Sequence, residues 1–324
     1  MKQVNTENAV GMVLAHDHTQ IITDSFKGVR FPKGHIVKKE DIPILLEMGK
    51  ETLFVLETQP GMLHEDEAAY RLRDICMGEN LTSSEPHEGK IELFANCDGL
   101  FVADAEKLFT LNMLDQIVIP ALNNNTAVSK GTKVSAMRVV PLMIEESRLI
   151  EAEQLVSSPV FQVIPWRRLT AAIFVTGSEI RKGLIKDTFS PLVVEKLSPY
   201  PVSIEIIQEV GDKVEDIRKA IEGALDSELD LIFCTGGMSV DPDDNTPEAI
   251  LASGAEVVTY GSPVFPGAMF MLAYYPNGAC IMGLPGGVVV GKQTILSLVL
   301  PRVIAGQRLT KEDIAAMGLG GLFG

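Results

Sequence analysis

The spacing of apolar and polar residues changes near Ile164 to Thr170. Before this point the apolar runs are short and separated by turn residues, as in KIELFA at 90–95, which is typical of half-buried strands. After it, continuous apolar runs of strand length alternate with amphipathic helical segments. The pattern therefore predicts a smaller, β-rich α+β region over residues 1–165 and an α/β domain over residues 168–306.

Two helices are predicted among the strands of the N-terminal region. One ends at Gly49 and is followed by a strand over 52–57, and the other covers 65–77. The polar segment TSSEPHEG at 82–89 contains both proline and glycine, which predicts a joint within this region.

In the C-terminal domain, AAIFVTG at 171–177 and LDLIFCTGG at 229–237 are apolar runs that end in glycine. Such runs are typical of strands that are buried on both faces of a sheet. VSIEIIQEV at 202–210 predicts another strand, and further strands follow after residue 254. Strands that alternate with helices predict right-handed crossovers and a doubly wound, mostly parallel sheet.

The helices of this domain have recognisable start signals. Asp187 or Thr188 is expected to begin the first, and Asp212 and Glu215 stand at capping-box spacing before the second. A long helix is predicted from Val288 to about Ile304. Residues 307–324 form a C-terminal tail whose glycine-rich end is expected to be frayed.

Composition narrows the classes of partner. The chain has 324 residues, of which 46% are hydrophobic and 22% are charged, so it can bury sizeable cores in two domains. The formal net charge of −15 disfavours nucleic acid or an anionic membrane as the main partner. A local pocket can still bind a small anion against this overall charge.

Cysteine usage and hydropathy indicate a reducing compartment. The four cysteines, Cys76, Cys97, Cys234 and Cys280, contain no CxxC pair and are expected to be reduced thiols. The first residues contain no apolar signal region. The longest apolar run, at 295–300, is far below the roughly 20 residues that span a bilayer. We therefore expect a cytoplasmic protein.

Three strands of the predicted sheet end in glycine turns: TGS at 176–178, TGGMS at 235–239 and GLPGG at 283–287. Because the carboxyl ends of parallel strands share one edge, these turns are expected to line one ligand crevice. Glycine lets the backbone approach a phosphate, and the following helix start supplies N–H groups. The alternative is that glycine serves turn geometry alone. None of the turns has the Walker or GxGxxG spacing of ordinary nucleotide sites.

Carboxylates cluster on the same predicted edge, at Glu179, Asp187, Asp241, Asp243 and Asp244. Together they predict a hard divalent cation such as Mg²⁺, with Glu179, Asp241 and Asp244 as its ligands. Two alternatives remain open: Asp187 as a helix cap, and DPDDN as a solvated Asx turn. Nearby cations that could contact a phosphate, or simply be solvated, are Arg181, Lys182, Lys186 and Lys292.

These turns, in this order, resemble the molybdopterin-binding domain shared by the molybdopterin molybdotransferases and adenylyltransferases. TGSEI is similar to the TGDEL of that family, GLIKDTFSPLVVEKL to its GxIxDxNxxxL, and CTGGMSV followed by Asp244 to its [ST]GG[VM]SVGxxD. FPGAMF stands where the family has KPG, and GLPGG resembles GLPGNP. The resemblance covers about 168–306, and PKGHIVKKEDIPILLEMGKETLFV is more weakly similar to the preceding segment of molybdotransferases.

The resemblance implies a ligand, molybdopterin, which is a pterin dithiolene with a terminal phosphate, either as such or in its adenylylated form. It also implies Mg²⁺, release of AMP and insertion of molybdate. Glu179 and Asp244 match the acidic residues assigned to catalysis. The residues that would bind the ligand are Thr176, Gly177, Ser178, Asp187, Thr235, Gly236, Gly237, Met238, Ser239, Pro266, Gly267, Gly283, Pro285, Gly286 and Gly287.

The sequence departs from the family pattern at four positions. Pro247 and Phe265 replace lysines, and Phe189 and Gly287 replace asparagines. Loss of two lysines removes positive charge that would help to hold molybdate or stabilise a leaving phosphate.

Three functions are therefore compatible with the sequence. The first is a molybdotransferase-like enzyme of molybdenum-cofactor biosynthesis. The second is a carrier or maturation factor that holds the cofactor for a molybdoenzyme client without catalysis. The third is a pyrophosphate hydrolase on the same fold, with Asp241 and Asp243 as metal ligands. A homo-oligomer is expected in each case.

The motif HDH at 16–18 lies outside the region of the resemblance. Its two histidines are alternate residues, which point the same way on a strand, and histidine is a common metal ligand. No third ligand is evident in the sequence, so the motif alone does not predict a metal site.

Overall fold

The structure is a computed structural model that describes residues 2–22, 26–56, 60–177, 186–239, 241 and 244–323. The chain divides into two compact units. One consists of Met1–Cys97, Phe101–Asn124 and Ser129–Val163, and the other of Asp98–Leu100, Asn125–Val128 and Ile164–Gly324.

The strands that begin before residue 166 are short. They are β1 (Lys2–Asn5), β2 (His18–Ile22), β3 (Phe26–Phe31), β4 (Thr52–Val55), β5 (Met62–His64), β6 (Leu81–Ser83), β7 (Lys90–Ala95), β8 (Gly99–Ala103), β9 (Ile117–Val118), β10 (Thr126–Val128), β11 (Lys133–Val139), β12 (Met143–Glu145) and β13 (Phe161–Pro165). The helices among them are α1 (Asp41–Glu47), α2 (Glu65–Cys76), α3 (Ala105–Asn112) and α4 (Glu146–Leu155), and Thr6–Asn8 forms a 3-10 helix.

The first unit is β-rich with helices between its strands, as predicted. Strands β6, β7, β11 and β9 form a four-stranded sheet in that order, and β7 pairs with β11 in the antiparallel direction. The pairs β1 with β4, β2 with β3 and β5 with β12 are antiparallel. One small core packs Leu14 with Phe31 of β3, Leu45 of α1 and Leu53 of β4.

The second unit is built on one six-stranded sheet. Its strands are β14 (Leu169–Thr176), β15 (Val202–Val210), β16 (Leu231–Thr235), β17 (Glu256–Tyr260), β18 (Met271–Tyr274) and β19 (Cys280–Leu284). Their order across the sheet is β15-β14-β16-β19-β18-β17. The first four run parallel, and β18 is antiparallel to both of its neighbours. The predicted mostly parallel α/β sheet is confirmed.

Helices cover both faces of this sheet, which makes it doubly wound. They are α5 (Ser190–Leu197), α6 (Val214–Asp226), α7 (Thr246–Ala252), α8 (Gly286–Val290), α9 (Ile295–Ile304) and α10 (Lys311–Ala316). Successive residues of β14 belong to different cores, because side chains alternate along a strand. Ile173 shares a core with Val193 of α5 and Val299 of α9. Phe174 shares the other core with α6 and α7.

Two helix predictions were wrong. The helix predicted from Val288 to Ile304 is two helices, because the Thr294 side chain accepts a hydrogen bond from the Leu296 N–H and begins α9 there. The capping box predicted for α6 does not form. Its N-cap residue is Lys213, which makes no side-chain cap bond, and Glu215 pairs instead with Arg218.

The prediction of a frayed C-terminal end was also wrong. Thr310 and Asp313 form a capping box at the start of α10. Farther along, the Phe265 N–H donates to the Gly321 carbonyl at 2.8 Å, and the Phe323 N–H donates to the Phe265 carbonyl at 2.9 Å. Backbone pairing therefore holds this glycine-rich segment, although glycine is unfavourable within a helix.

Cys76, Cys234 and Cys280 are buried thiols, as expected, and burial raises the pKa of Cys76 and Cys234 to about 12. Over the described ranges, no helix has both the length and the apolar character needed to cross a membrane.

Candidate functional site

The three glycine turns follow strands that are neighbours in the sheet. Val175 of β14 stands beside Thr235 of β16, which in turn stands beside Leu284 of β19. All three strands run parallel and end at the same level, so the turns after them begin at one edge. Open α/β sheets bind ligands at this edge. The sequence predicted this arrangement from strand direction.

The central turn needs glycine for its own packing. Gly236 has φ +94°, and a Cβ there would lie 2.3 Å from the Thr176 carbonyl oxygen. Gly237 has φ +55°, and its Cβ would lie 2.9 Å from the Thr246 hydroxyl. Turn geometry thus accounts for both glycines, and their part in ligand binding stays a prediction.

Threonine hydroxyls join the first turn to the second. The Thr176 hydroxyl lies 3.1 Å from that of Thr246 and 3.2 Å from the Thr235 carbonyl oxygen. The Thr246 hydroxyl bonds the Gly236 carbonyl at 2.9 Å. The hydroxyl of Thr235 differs, because it is fully buried and has no hydrogen-bond partner in the described structure. A buried polar atom without a partner is costly and marks a place where a donor or acceptor is missing.

The Asp244 carboxylate is partly used by the turn. Its Oδ2 accepts a hydrogen bond of 3.0 Å from the Ser239 N–H, and its own N–H donates to the Asp241 carbonyl at 2.9 Å. Asp241 is exposed. The other predicted carboxylates at 179 and 243, and Ser178, lie outside the described residues.

Both oxygens of Asp187 serve the start of α5. Oδ1 accepts hydrogen bonds from the N–H groups of Phe189 at 2.8 Å and Ser190 at 3.0 Å, and Oδ2 accepts one from the Ser190 hydroxyl. Asp187 therefore caps the start of this helix, which is one of the two alternatives that the sequence left open. Phe189, not Asp187, is the N-cap residue by backbone position.

Besides Thr176 and Thr235, the predicted ligand-binding residues Met238, Gly267 and Gly283 are packed in the interior. The Met238 side chain is 3% exposed, and a Cβ on Gly283 would lie 2.5 Å from its Cε. Gly267 is also buried, with φ +146°, and a Cβ added to it would lie only 2.5 Å from Ile295 Cγ2. These residues are packed against other side chains inside the domain, so their contact with a ligand stays a prediction.

The third turn is more open. Gly287 is exposed, and a Cβ on it would have no atom nearer than Pro266 Cβ at 3.6 Å. The Pro285 carbonyl accepts a hydrogen bond from Val288 N–H at 2.8 Å, which starts α8. The Phe189 ring lies 3.7 Å from the Cβ position of Gly286. An aromatic ring therefore adjoins this turn.

Sequence reasoning missed Tyr260, the last residue of β17. Its hydroxyl donates to the carbonyls of Met238 at 3.3 Å and Ser239 at 3.4 Å. Burial raises the pKa of Tyr260, and the charge of Asp244 raises it further. Strand β17 reaches this edge because two successive antiparallel pairings give it the same direction as β19. The signal that could have indicated this residue is the pair Tyr260-Gly261, which ends the apolar run of β17 in a glycine turn.

Positive charge is sparse at the described part of this edge. Lys186 and Lys292 are exposed, and the Lys196 Nζ donates to the Gly291 carbonyl at 2.6 Å. Pro247 is buried and Phe265 is 57% exposed, at the two positions where the resemblance implies lysine. Arg181 and Lys182 lie outside the described residues.

Comparison with known families identifies two segments. Residues 172–305 match the family described as "Probable molybdopterin binding domain", and residues 3–57 match a family described as a domain of unknown function.

Curated relatives are similar over part of the chain only. A "Probable FAD synthase" of Caenorhabditis briggsae is 38% identical over 82 residues, which are 25% of this chain and 16% of that protein. A "CinA-like protein" of Mycolicibacterium gilvum is 30% identical over 154 residues, which cover 40% of this chain and 36% of the relative. The chain thus spans about a third or less of these relatives.

Solved structures show a similar partial match. The molybdopterin biosynthesis enzyme MoaB of Thermus thermophilus is 22% identical, covers 43% of this chain and 98% of its own, and has a TM-score of 0.36. The protein CinA of Thermoplasma acidophilum is 19% identical, covers 36% and 88%, and has a TM-score of 0.33.

The family match and the turns on one sheet edge cover the same part of the chain. Residues 172–305, which contain all three turns, are therefore similar to the molybdopterin-binding domain family.

Proposed function

We propose that the C-terminal domain binds a molybdopterin-type ligand at the edge formed by the three glycine turns, and that the protein acts in molybdenum-cofactor biosynthesis. The observation that carries the proposal is the alignment of Val175, Thr235 and Leu284, which places the three turns side by side. The match of residues 172–305 to the family supports the identity of the ligand.

Two described features fit such a ligand. The turn at Gly286 and Gly287 is open, and the Phe189 ring adjoins that turn. The open turn lets a phosphate approach the backbone, and the ring places an apolar group beside it that can pack against a ligand ring.

The carboxylates of the second loop fit Mg²⁺ chemistry. The Ser239 N–H bonds Oδ2 of Asp244, which leaves Oδ1 of the same carboxylate to bind an ion. Asp241, three residues before Asp244, is exposed. Oxygen ligands of this kind are what Mg²⁺ prefers. Among the residues that the structure describes, no three His, Cys, Asp or Glu side chains are set to hold an ion. Glu179, the other proposed ligand, lies outside them. When bound, Mg²⁺ would neutralise charge on a phosphate or phosphoanhydride.

The favoured reaction is molybdotransferase-like: AMP is released from adenylylated molybdopterin and molybdate is inserted, with Asp244 and Glu179 positioning Mg²⁺. A carrier without catalysis is the second candidate, and the observation that favours it is the loss of positive charge. Pro247 is buried and Phe265 is apolar and exposed where the resemblance implies lysines. Such a carrier would deliver the cofactor to a molybdoenzyme client.

The test begins with the purified protein. It is oxidised, and the extract is examined for a fluorescent pterin. The apo protein is then mixed with adenylylated molybdopterin, Mg²⁺ and molybdate, and AMP is measured. We expect pterin binding and AMP release, with release abolished by Asp244→Asn. Glu248→Gln, an exposed change in the first turn of α7, is the matched control and should leave release intact.

Each outcome distinguishes the candidates. Saturable pterin binding without AMP release identifies the carrier. Absence of pterin binding in the correctly folded protein overturns both. Hydrolysis of FAD, included as a dinucleotide pyrophosphate, would identify the pyrophosphate hydrolase on the same fold; one relative carries the printed name "Probable FAD synthase".

A further inference from the structure

A cavity of about 150 Å³ in the N-terminal unit is bordered mostly by ionisable side chains. Its walls include His16, Asp17, Lys33, Glu65, Asp66 and Glu88. This volume corresponds to only a few water molecules, at about 30 Å³ each, so any ligand must be small. None of these wall residues belongs to the C-terminal domain.

The positive charge in this cavity is already paired. Lys33 Nζ bonds His64 Nδ1 at 2.8 Å and donates to the Asp66 carboxylate. The Gly89 N–H donates to the other oxygen of Asp66 at 3.1 Å. His64 is fixed by a bond of 2.9 Å from Nε2 to the Ala15 carbonyl. Lys33 and Asp66 therefore neutralise each other.

Glu65 has no comparable partner. The residue is only 7% exposed, and within the described ranges its carboxylate accepts no hydrogen bond. Arg138 Nη2 forms an ion pair with Glu65 at 3.7 Å, which is too long for a hydrogen bond. Burial raises the pKa of Glu65, and the charge of Asp66 adds to the shift. A buried carboxylate without donors is unfavourable unless a ligand supplies them.

The two histidines of the HDH motif also lack partners. In the described structure, Nδ1 of His16 and both ring nitrogens of His18 are buried without a hydrogen bond. The ring centroids are 4.6 Å apart, and His18 is 3% exposed. A neutral imidazole offers one donor and one acceptor, so His16 can accept a hydrogen bond from a ligand in the cavity.

The carboxylates on the cavity wall favour a cation as the ligand. Once Lys33 is paired with Asp66, the wall carboxylates of Asp17, Glu65 and Glu88 still outnumber the neighbouring cations, because Arg138 forms an ion pair with Glu65 alone. A metal ion would need its ligands within about 2 Å of one centre. No three such side chains in the described part of the chain converge in that way. An organic cation can instead distribute its N–H donors over the cavity.

We infer that this cavity binds a small organic cation with several N–H donors, an ammonium, amidinium or guanidinium group, with Glu65 as buried counter-charge and His16 as acceptor.

Affinity should fall as the pH is lowered. Glu65 loses its charge at a higher pH than an ordinary glutamate does, because its pKa is raised. His16 stays neutral to a lower pH than usual, because burial and Lys50 lower its pKa. The charged or titratable groups that act on one or both of these side chains are Asp17, Lys33, Lys50, His64, Asp66, Glu88 and Arg138.

The experiment uses the full chain with ¹³C-labelled histidine. Guanidinium or methylammonium chloride is added at millimolar concentration, with sodium chloride as the ionic-strength reference, and the histidine ring signals are followed by NMR. We expect saturable shifts of the His16 and His18 signals, assigned by substitution. Glu65→Gln should weaken binding about tenfold or more, as expected for loss of a buried counter-charge.

Two further variants keep the test decisive if Glu65→Gln fails to fold. Glu88→Gln, on an exposed turn of the cavity wall, should weaken binding several-fold, whereas Glu85→Gln, which alters a carboxylate bonded to Tyr70 outside the wall, should not. Absence of a saturable shift would show a merely hydrated cavity and overturn the inference. Tight binding of Zn²⁺ or Mn²⁺ that moves the same signals would overturn the assignment to an organic cation.

Discussion

The Ser239 N–H donates a hydrogen bond of 3.0 Å to Oδ2 of Asp244, so the carboxylate proposed to position Mg²⁺ also holds the turn that precedes it. The same carboxylate acts on Tyr260, whose hydroxyl bonds the carbonyls of Met238 and Ser239. The loop charge and the turn geometry are therefore coupled through one side chain.

Asp244→Asn should lower the pKa of Tyr260 toward its usual value. Burial is the larger cause of the raised pKa and remains in the variant, but the negative charge that adds to it is removed. The phenolate absorbance is titrated in both proteins, with Tyr260→Phe to identify the signal among the five tyrosines. Asp241→Asn should leave this pKa unchanged; an equal effect in that variant would contradict the assignment to Asp244.

Gly236→Ala should destabilise the protein by about 2–5 kcal/mol, which combines left-handed backbone strain with overpacking. The new Cβ would lie 2.3 Å from the Thr176 carbonyl oxygen, and φ is +94°. Gly287→Ala is the matched control, because its nearest neighbour would be Pro266 Cβ at 3.6 Å. Urea unfolding followed by circular dichroism compares the two, and equal midpoints would refute the packing argument.

Thr294→Ala should cost about 0.5–2 kcal/mol of stability, the usual range for loss of an N-cap. The Thr294 hydroxyl accepts from the Leu296 N–H at 3.2 Å and begins α9 at a fully buried position. Thr294→Ser keeps the hydroxyl and should lose less. Thermal unfolding of both variants measures the difference, and an Ala variant as stable as the Ser variant would exclude a capping role.

Stability should decrease as the pH falls from about 6.5 to about 4 because of His18. Burial lowers its pKa in the folded chain from 6.5 to about 4, so in this window the unfolded chain binds the proton and the folded chain does not. The free energy of unfolding is then expected to drop by roughly 3 kcal/mol across the window. Above it, His18 is neutral in both states and contributes no pH dependence.

His18→Phe keeps an aromatic ring but removes the titration, so its stability should vary less with pH over the same range. His87→Gln, at an exposed position, should retain the full slope. Chemical unfolding at several pH values provides the comparison. Identical slopes in the wild type and His18→Phe would remove His18 as the cause.

The sequence alone predicted the elements whose hydrophobic pattern depends only on neighbouring residues. KIELFA and VSIEIIQEV form β7 and β15 over the predicted residues, because alternation or continuous apolar character fixes a strand without distant partners. The segment from Val288 to Ile304 has one continuous apolar pattern, which predicted a single helix. In the structure one helix ends at Val290 and the next begins after Thr294. A hydroxyl that caps competes with helix continuation, and hydropathy does not record that competition.

The candidate site was predictable where strand direction alone determines position. The three turns lie on one edge because their strands are parallel. Tyr260 was missed, since its place depends on two antiparallel pairings that the pattern does not specify. The use of both Asp187 oxygens at the start of α5 was one of two open alternatives, and only the folded structure distinguishes them.

The hydroxyl pair of Thr176 and Thr246 has a consequence for how this sequence can diverge. The two oxygens lie 3.1 Å apart, although 70 positions separate them in the sequence, and their two protons are shared between this contact and the carbonyls of Thr235 and Gly236. Replacing one alone would leave the other buried with fewer hydrogen bonds, at a cost of about 1–3 kcal/mol. We therefore expect the two positions to change together among descendants of this chain, as a single inherited unit.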